Sequence, residues 1–208
     1  MRAIKELRGI RRPVTEDIFD RLGVLGPQDL VVTNFPKRIP VASFNPAALL
    51  RGRELVVYPR LIFDYYKYTS SIGLYEVDVE KLLEGGLETP IEAEVILWPR
   101  SLWEFLGTED PRAFEVGDEV WLLYTGKGYT WRGNELARRD VLGFVSIKGG
   151  DEVRRGYFRV EGGGEYYLPK SNKDSAFVEV RGSKATMLTR PEIDQEGLCW
   201  KSVANLDS

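Results

Sequence analysis

Three polar residues recur along this chain at nearly equal spacing: Asn45, Asp110 and Asp174, 65 and 64 residues apart. Two of them are carboxylates, and carboxylate chemistry is what the composition favours, because the 208 residues include no histidine. That absence removes nucleophiles activated by imidazole. It also removes metal sites built on imidazole, and a single Cys199 cannot supply a thiolate cluster, so no metal site is expected. Acid–base work would fall to Asp, Glu, Lys or Tyr.

Each of the three residues opens a similar passage. Asn45-Pro-Ala-Ala48 leads into the turn Arg51-Gly-Arg-Glu54 and then Ile72-Gly-Leu-Tyr75. Asp110-Pro-Arg-Ala-Phe114 leads into Val116-Gly-Asp-Glu119 and then Leu142-Gly-Phe-Val145. Asp174-Ser-Ala-Phe177 leads into Arg181-Gly-Ser-Lys184 and then Cys199-Trp-Lys-Ser202. Strand, glycine turn, strand and further strand, repeated three times, predicts an all-β chain of propeller blades. In a blade the first strand lines the channel, so Asn45, Asp110 and Asp174 would meet at its mouth. Taken singly, each residue also reads as turn punctuation before a strand.

The strands expected most clearly are Glu54–Tyr58, Glu119–Tyr124 and Ala185–Thr189, with a hairpin of Tyr157–Val160 and Glu165–Leu168 about Gly162-Gly-Gly164. Helical signals are few: a short N-terminal helix at Thr15–Gly23, and two turns each at Asp78–Gly85 and Ser101–Gly107. No linker separates the blades, so 1–208 reads as one propeller-type domain. Three blades do not close a ring, which predicts a domain incomplete at the C-terminus and completed by self-association or by a complementing chain.

The remaining composition excludes several classes. With 29 Lys and Arg against 32 Asp and Glu, the net charge of −3 argues against nucleic acid as a partner. Hydrophobic residues at 43 % and 24 aromatics suffice for a packed core. No apolar run approaches the ~20 residues that span a bilayer, so no membrane partner is expected. The first eight residues are charged where a secretory signal is apolar, and one cysteine suits a reducing compartment, which together predict a cytoplasmic protein.

The passages at the blade starts resemble glycoside hydrolase family 130, the β-mannoside phosphorylases and related β-mannosidases. The likeness runs from about Val41 to Asn205. It rests on Phe44-Asn-Pro-Ala-Ala48, Tyr58-Pro-Arg60, Thr69-Ser-Ser-Ile-Gly-Leu74, Gly107-Thr-Glu-Asp-Pro-Arg112, Tyr124-Thr125, Asn172-Lys-Asp-Ser-Ala176 and Thr189-Arg-Pro-Glu192. It implies a five-bladed propeller, of which three blades are present here, and cleavage of a mannose-containing oligosaccharide. Asp110 matches the catalytic acid, which protonates the glycosidic oxygen through a hydroxyl of the mannose. Asn45 and Arg60 match residues that hold the sugar, while Lys173 and Arg190 match a phosphate-binding region. Inorganic phosphate would be the co-substrate, with no other cofactor.

Other candidates around the sugar are Glu109, Arg112, Tyr124 and Asp174. Glu109 and Arg112 read equally as a structural ion pair, Tyr124 and Trp121 as at most one channel-facing ring, and Lys173 and Arg190 as solvated charges. Two positions depart from the family. Its arginine before the last strand of the Asp110 blade falls on Val141, with Arg138 and Arg139 nearby, and its histidine before Arg190 is Thr189. Two functions therefore stand beside each other: an inverting β-mannoside phosphorylase active in a completed ring, and a non-catalytic sugar-binding or structural remnant.

Overall fold

The computed structural model describes residues 16, 18–193, 196, 197 and 199–206. Strand β1 (Leu30–Val32) precedes a first blade of β2 (Ala42–Arg51), β3 (Glu54–Ile62), β4 (Ser70–Asp78) and β5 (Ile91–Leu97), antiparallel neighbours in that order. β1 adds to the outer edge of β5 in parallel. The second blade is β6 (Gly107–Val116), β7 (Glu119–Arg132), β8 (Glu135–Lys148) and β9 (Asp151–Tyr157). After a small hairpin of β10 (Val160–Gly162) and β11 (Glu165–Tyr167) comes a third blade. It comprises β12 (Asn172–Arg181), β13 (Lys184–Ile193) and β15 (Trp200–Asn205), with the two-residue β14 (Glu196–Gly197) beside the end of β13. The expected arc of three blades is the arrangement observed.

Each first hairpin turns on a glycine in the left-handed region, Gly52, Gly117 or Gly182 (φ 62°, 64° and 56°), where a two-residue connection favours a residue without Cβ. Asp78 caps α1 (Val79–Glu84), its side chain accepting from the backbone N–H of Lys81 at 3.0 Å, and Gly85 ends it at φ 71°. Leu102–Glu104 forms a single 3-10 turn, shorter than the expected Ser101–Gly107 helix. The N-terminal helix is corrected: Thr15 and Asp17 lie outside the described residues, and Ile18–Gly23 have no helical structure. Tyr157 belongs to β9, so the later hairpin starts at Val160. Among the described residues no helix is long and apolar enough to cross a membrane.

The blades stack face to face because β7 carries Val120-Trp-Leu-Leu-Tyr124, buried on both faces. Leu122 and Tyr124 pack with Val56, Tyr58, Ile72 and Leu97 of the first blade. Trp121 and Leu123, pointing the other way, pack with Phe177, Ala185 and Met187 of the third. Single parallel bridges tie the blades at one end: Ser70 to Gly107, and Asp140 to Ser171. These are equivalent sites of the repeat, each bridge lying three residues before the next Asp.

Asn45, Asp110 and Asp174 are the only non-glycine residues with positive φ among those described (46°, 51° and 55°). They stand inside their strands, not before them. In each pair the register slips at that point, between Phe44 and Ala47, Glu109 and Arg112, and Lys173 and Ala176. The repeated Asn/Asp is thus a β-bulge residue in the left-handed conformation, tolerated by short polar side chains. Pro46 and Pro111 follow it because a bulge needs no ladder N–H there. Left-handed φ reverses the usual order of substitutions. Asn45→Gly should be more stable than Asn45→Ala by about 1 kcal/mol, measured by chemical denaturation. Alanine equal to or above glycine would contradict a strained bulge.

Candidate active site

The bulges turn the side chains of Asn45 and Asp110 out of their own ladders to meet at the seam between the blades. At the first seam, Asn45 Nδ2 donates to Asp110 Oδ1 at 2.9 Å. Arg60, from β3, reaches across the same seam. Its Nη1 donates to Asp110 Oδ1 at 3.1 Å and its Nη2 to Glu109 Oε1 at 2.8 Å, while its Nε donates to Ser70 Oγ at 2.9 Å. All three kinds of guanidinium nitrogen are used, which a lysine could not reproduce. The guanidinium also lies 4.7 Å from the Phe44 ring centre and 5.7 Å from that of Tyr68. Lys127 Nζ approaches Glu109 Oε1 at 3.3 Å, so two carboxylates face two cations.

Glu109 is buried beneath these cations, whereas the Asp110 side chain keeps 23 % of its surface exposed. Both donors to Asp110 converge on Oδ1, and among the described residues none engages Oδ2. The geometry therefore fixes one carboxylate oxygen and presents the other outward. Oxygen Oδ2 is available to carry a proton or to bind a hydroxyl.

The second seam repeats the backbone of the first with different side chains. Arg60, Thr125 and Arg190 hold equivalent sites, opposite Phe44, Glu109 and Lys173 respectively. Arg190 donates to Asp174 of its own blade. Lys173 takes the place of Glu109 and approaches Asp140, the counterpart of Ser70, at 4.0 Å. A cleft of about 550 Å³ opens there, lined by Arg138, Arg139, Lys170, Lys173 and Arg190 with Asp140 and Glu192. Cations outnumber acids, and the Nε of Arg139 is buried without a hydrogen-bond partner. The cleft has the charge to receive a small anion. A second cleft, of about 600 Å³, lies between β9 and β15 and contains none of the three bulge residues.

Several expected site residues are placed elsewhere. Tyr124 is buried, 2 % exposed, and donates to Glu104 Oε1 at 2.5 Å in a core network joined by Arg155. Burial and then the neighbouring Glu104 charge push its hydroxyl well above the usual tyrosine range, so it stays neutral. It belongs to the packing of the first two blades, not to the channel. Arg112 is exposed and donates to the carbonyl of Pro111 at 3.0 Å, and Glu109 pairs with Arg60 and Lys127 instead, which corrects the expected Glu109–Arg112 pair. Thr189, where the family's histidine was expected, is buried and bonded to Asn172 and Ser175. Val141 is core, while Arg138 and Arg139 line the basic cleft. Asp174 stands at the second seam, one blade away from Asp110.

Lys127, Ser70 and Lys170 were missed. Lys127 lay two residues beyond Thr125 on the same strand face, a period-2 signal visible only once Thr125 is matched to Arg60.

Breaking the first seam should be costly, because Glu109 would keep a buried charge with less compensation. Arg60→Met is expected to lower stability by roughly 3 kcal/mol, the low end for a broken buried pair because Lys127 remains. Adding Glu109→Gln should recover part of the loss in denaturant melts. Additive losses would show that the two groups do not depend on each other.

The chain resembles a known family in sequence and known structures in fold. It matches the sequence profile of β-1,4-mannooligosaccharide phosphorylase, glycoside hydrolase family 130, over residues 9–206. No curated protein matches it by sequence. Among solved structures it resembles a β-1,2-mannobiose phosphorylase from Listeria innocua (TM-score 0.53, 15 % identity), over 88 % of this chain and 60 % of that one. It also resembles a glycoside hydrolase from Parabacteroides distasonis (TM-score 0.50, 18 % identity), over 76 % of this chain and 52 % of that one. The chain thus spans between half and three-fifths of the length of these relatives, and the likeness is one of fold.

Proposed function

The chain belongs to the β-1,4-mannooligosaccharide phosphorylase family, and from that premise we propose that it forms the acid side of a site that cleaves β-mannosides with inorganic phosphate. One observation carries this reading: Arg60 and Asn45 both bind Oδ1 of Asp110 and leave Oδ2 open, on the seam next to a cleft of five cations. In the proposed step an oxygen of phosphate, held by Lys173 and Arg190, forms a bond to the anomeric carbon. The glycosidic bond breaks on the opposite face, and its oxygen takes the proton of Asp110 through a mannose hydroxyl. The products are an α-mannosyl phosphate and the shortened sugar.

The charge pattern favours phosphate over water. A hydrolase that inverts needs a second carboxylate as base, about 6.5–9.5 Å from the acid. Among the described residues the neighbouring acids are engaged with cations, Glu109 with Arg60 and Lys127, and Asp174 with Arg190. An anion that arrives already nucleophilic needs those cations and no base.

The third blade turns an apolar face outward, with Leu188 at 45 % and Val203 at 69 % exposure. In the first two blades the corresponding face is covered by the next blade. We infer that a further blade, from this polypeptide or from another copy, covers it, and the reaction is to be assayed on the protein in that assembled form.

Asp110→Asn should retain sugar binding and lose at least about 100-fold in turnover, the usual worth of a general acid. Lys173→Ala should raise the phosphate concentration needed for half-maximal rate. Turnover of β-1,4-mannobiose with and without phosphate is the assay. Unchanged turnover in Asp110→Asn, or a rate independent of phosphate, would overturn the assignment.

A further inference from the structure

Three tyrosines stand within four residues on the loop joining β3 to β4: Tyr65, Tyr66 and Tyr68. Tyr66 is 99 % exposed and Tyr65 76 %, a heavy display of aromatic surface on one short segment. Such surface usually marks a contact. The loop is not slack. Asp64 Oδ1 accepts from the backbone N–H groups of Tyr66 and Lys67 at 2.9 and 3.5 Å, and its Oδ2 pairs with Lys37 at 3.0 Å. Lys37 also donates to the carbonyl of Phe63 at 3.2 Å, fastening the loop's base. At its other end Tyr68 lies against Arg60, the guanidinium that binds Asp110, and Ser70 binds the same guanidinium.

Inversion at one carbon places the nucleophile and the leaving group on opposite faces. The cations line the seam between the second and third blades, while Asp110 is held from the first blade. The leaving sugar therefore departs towards the first blade, where the tyrosine loop begins. We propose that Tyr65 and Tyr66 form a platform for the sugar units beyond the cleaved bond, making the site selective for longer β-mannooligosaccharides. This rests on the phosphorolytic reading above for its direction. Tyrosine suits the task, since its ring offers a flat apolar face and a hydroxyl at low entropic cost.

The second exposed aromatic rim supplies the contrast. In the long β7–β8 hairpin Lys127, Tyr129 and Trp131 pair with Asp140, Arg138 and Leu136, and directly paired residues share one face. Trp131 is 67 % exposed and shares its face with Arg138 and Asp140, which line the basic cleft.

The test compares β-1,4-mannobiose with β-1,4-mannotetraose. The wild type should prefer the tetraose, in kcat/KM and in affinity. The double variant Tyr65→Ala/Tyr66→Ala should lose about 3–10-fold on the tetraose and little on the biose, Tyr65→Phe/Tyr66→Phe should keep the preference, and Trp131→Ala should leave it unchanged. Calorimetric binding of both sugars to Asp110→Asn separates this from the reaction itself. A length preference in binding that depends on the two tyrosines, without any phosphorolysis in the wild type, would support the platform while overturning the reaction. Equal affinity of the wild type for both lengths, or an equal loss for both in the alanine variant, would overturn the platform.

Discussion

A guanidinium that crosses from one blade to the carboxylates of the next is the interaction on which this arrangement depends. Arg60 leaves β3 of the first blade, bonds Glu109 and Asp110 of the second, and braces itself on Ser70 of β4. It can do so only because Asp110 is turned out of its ladder by a left-handed bulge. The bulge costs backbone strain, and the blade-to-blade hydrogen bonds that it permits offset that cost. The same device at Asn45 brings the amide that completes the contact. Blade packing and site geometry are therefore one construction: the apolar seam of Tyr58, Leu97, Leu122 and Tyr124 sets the distance that the polar seam above it must span.

The repeat explains how one design yields two chemically different seams. At the first, equivalent positions hold Arg60 and Glu109, which bury charge and fix an acid. At the second they hold Thr125 and Lys173, and the seam opens into a cleft rich in cations. A backbone pattern copied three times keeps the bulges aligned, while single side chains at matching sites decide whether a seam buries an ion pair or opens into a basic cleft.

Much of the fold was legible because its signals are local. The glycine turns at Gly52, Gly117 and Gly182 and the recurring Asn/Asp set the blade period, and Asp78 with Gly85 set helix α1. The Thr15–Gly23 segment has cap residues and the apolar Ile18, Phe19 and Leu22, yet all three apolar side chains are exposed, and Ile18–Gly23 are not helical. In the site, Asp110, Asn45 and Arg60 could be named from their spacing and from likeness to a family, yet their mutual contacts are non-local and no spacing states them. Tyr124 misled for the same reason: alternation says which residues share a face, not which face is the channel. Lys127 was hidden because its equivalents in the other blades, Ile62 and Glu192, are not cations, so the repeat gives no hint of its charge.

In the phosphorolytic reading one carboxylate works here with an anion as nucleophile. That reading is tested most directly by proton and phosphorus NMR of the first-formed product when β-1,4-mannobiose and phosphate meet the assembled protein. Phosphorolysis with inversion predicts mannosyl phosphate in the α configuration, formed in step with mannose release. Free mannose alone, or the β-configured phosphate, would contradict it.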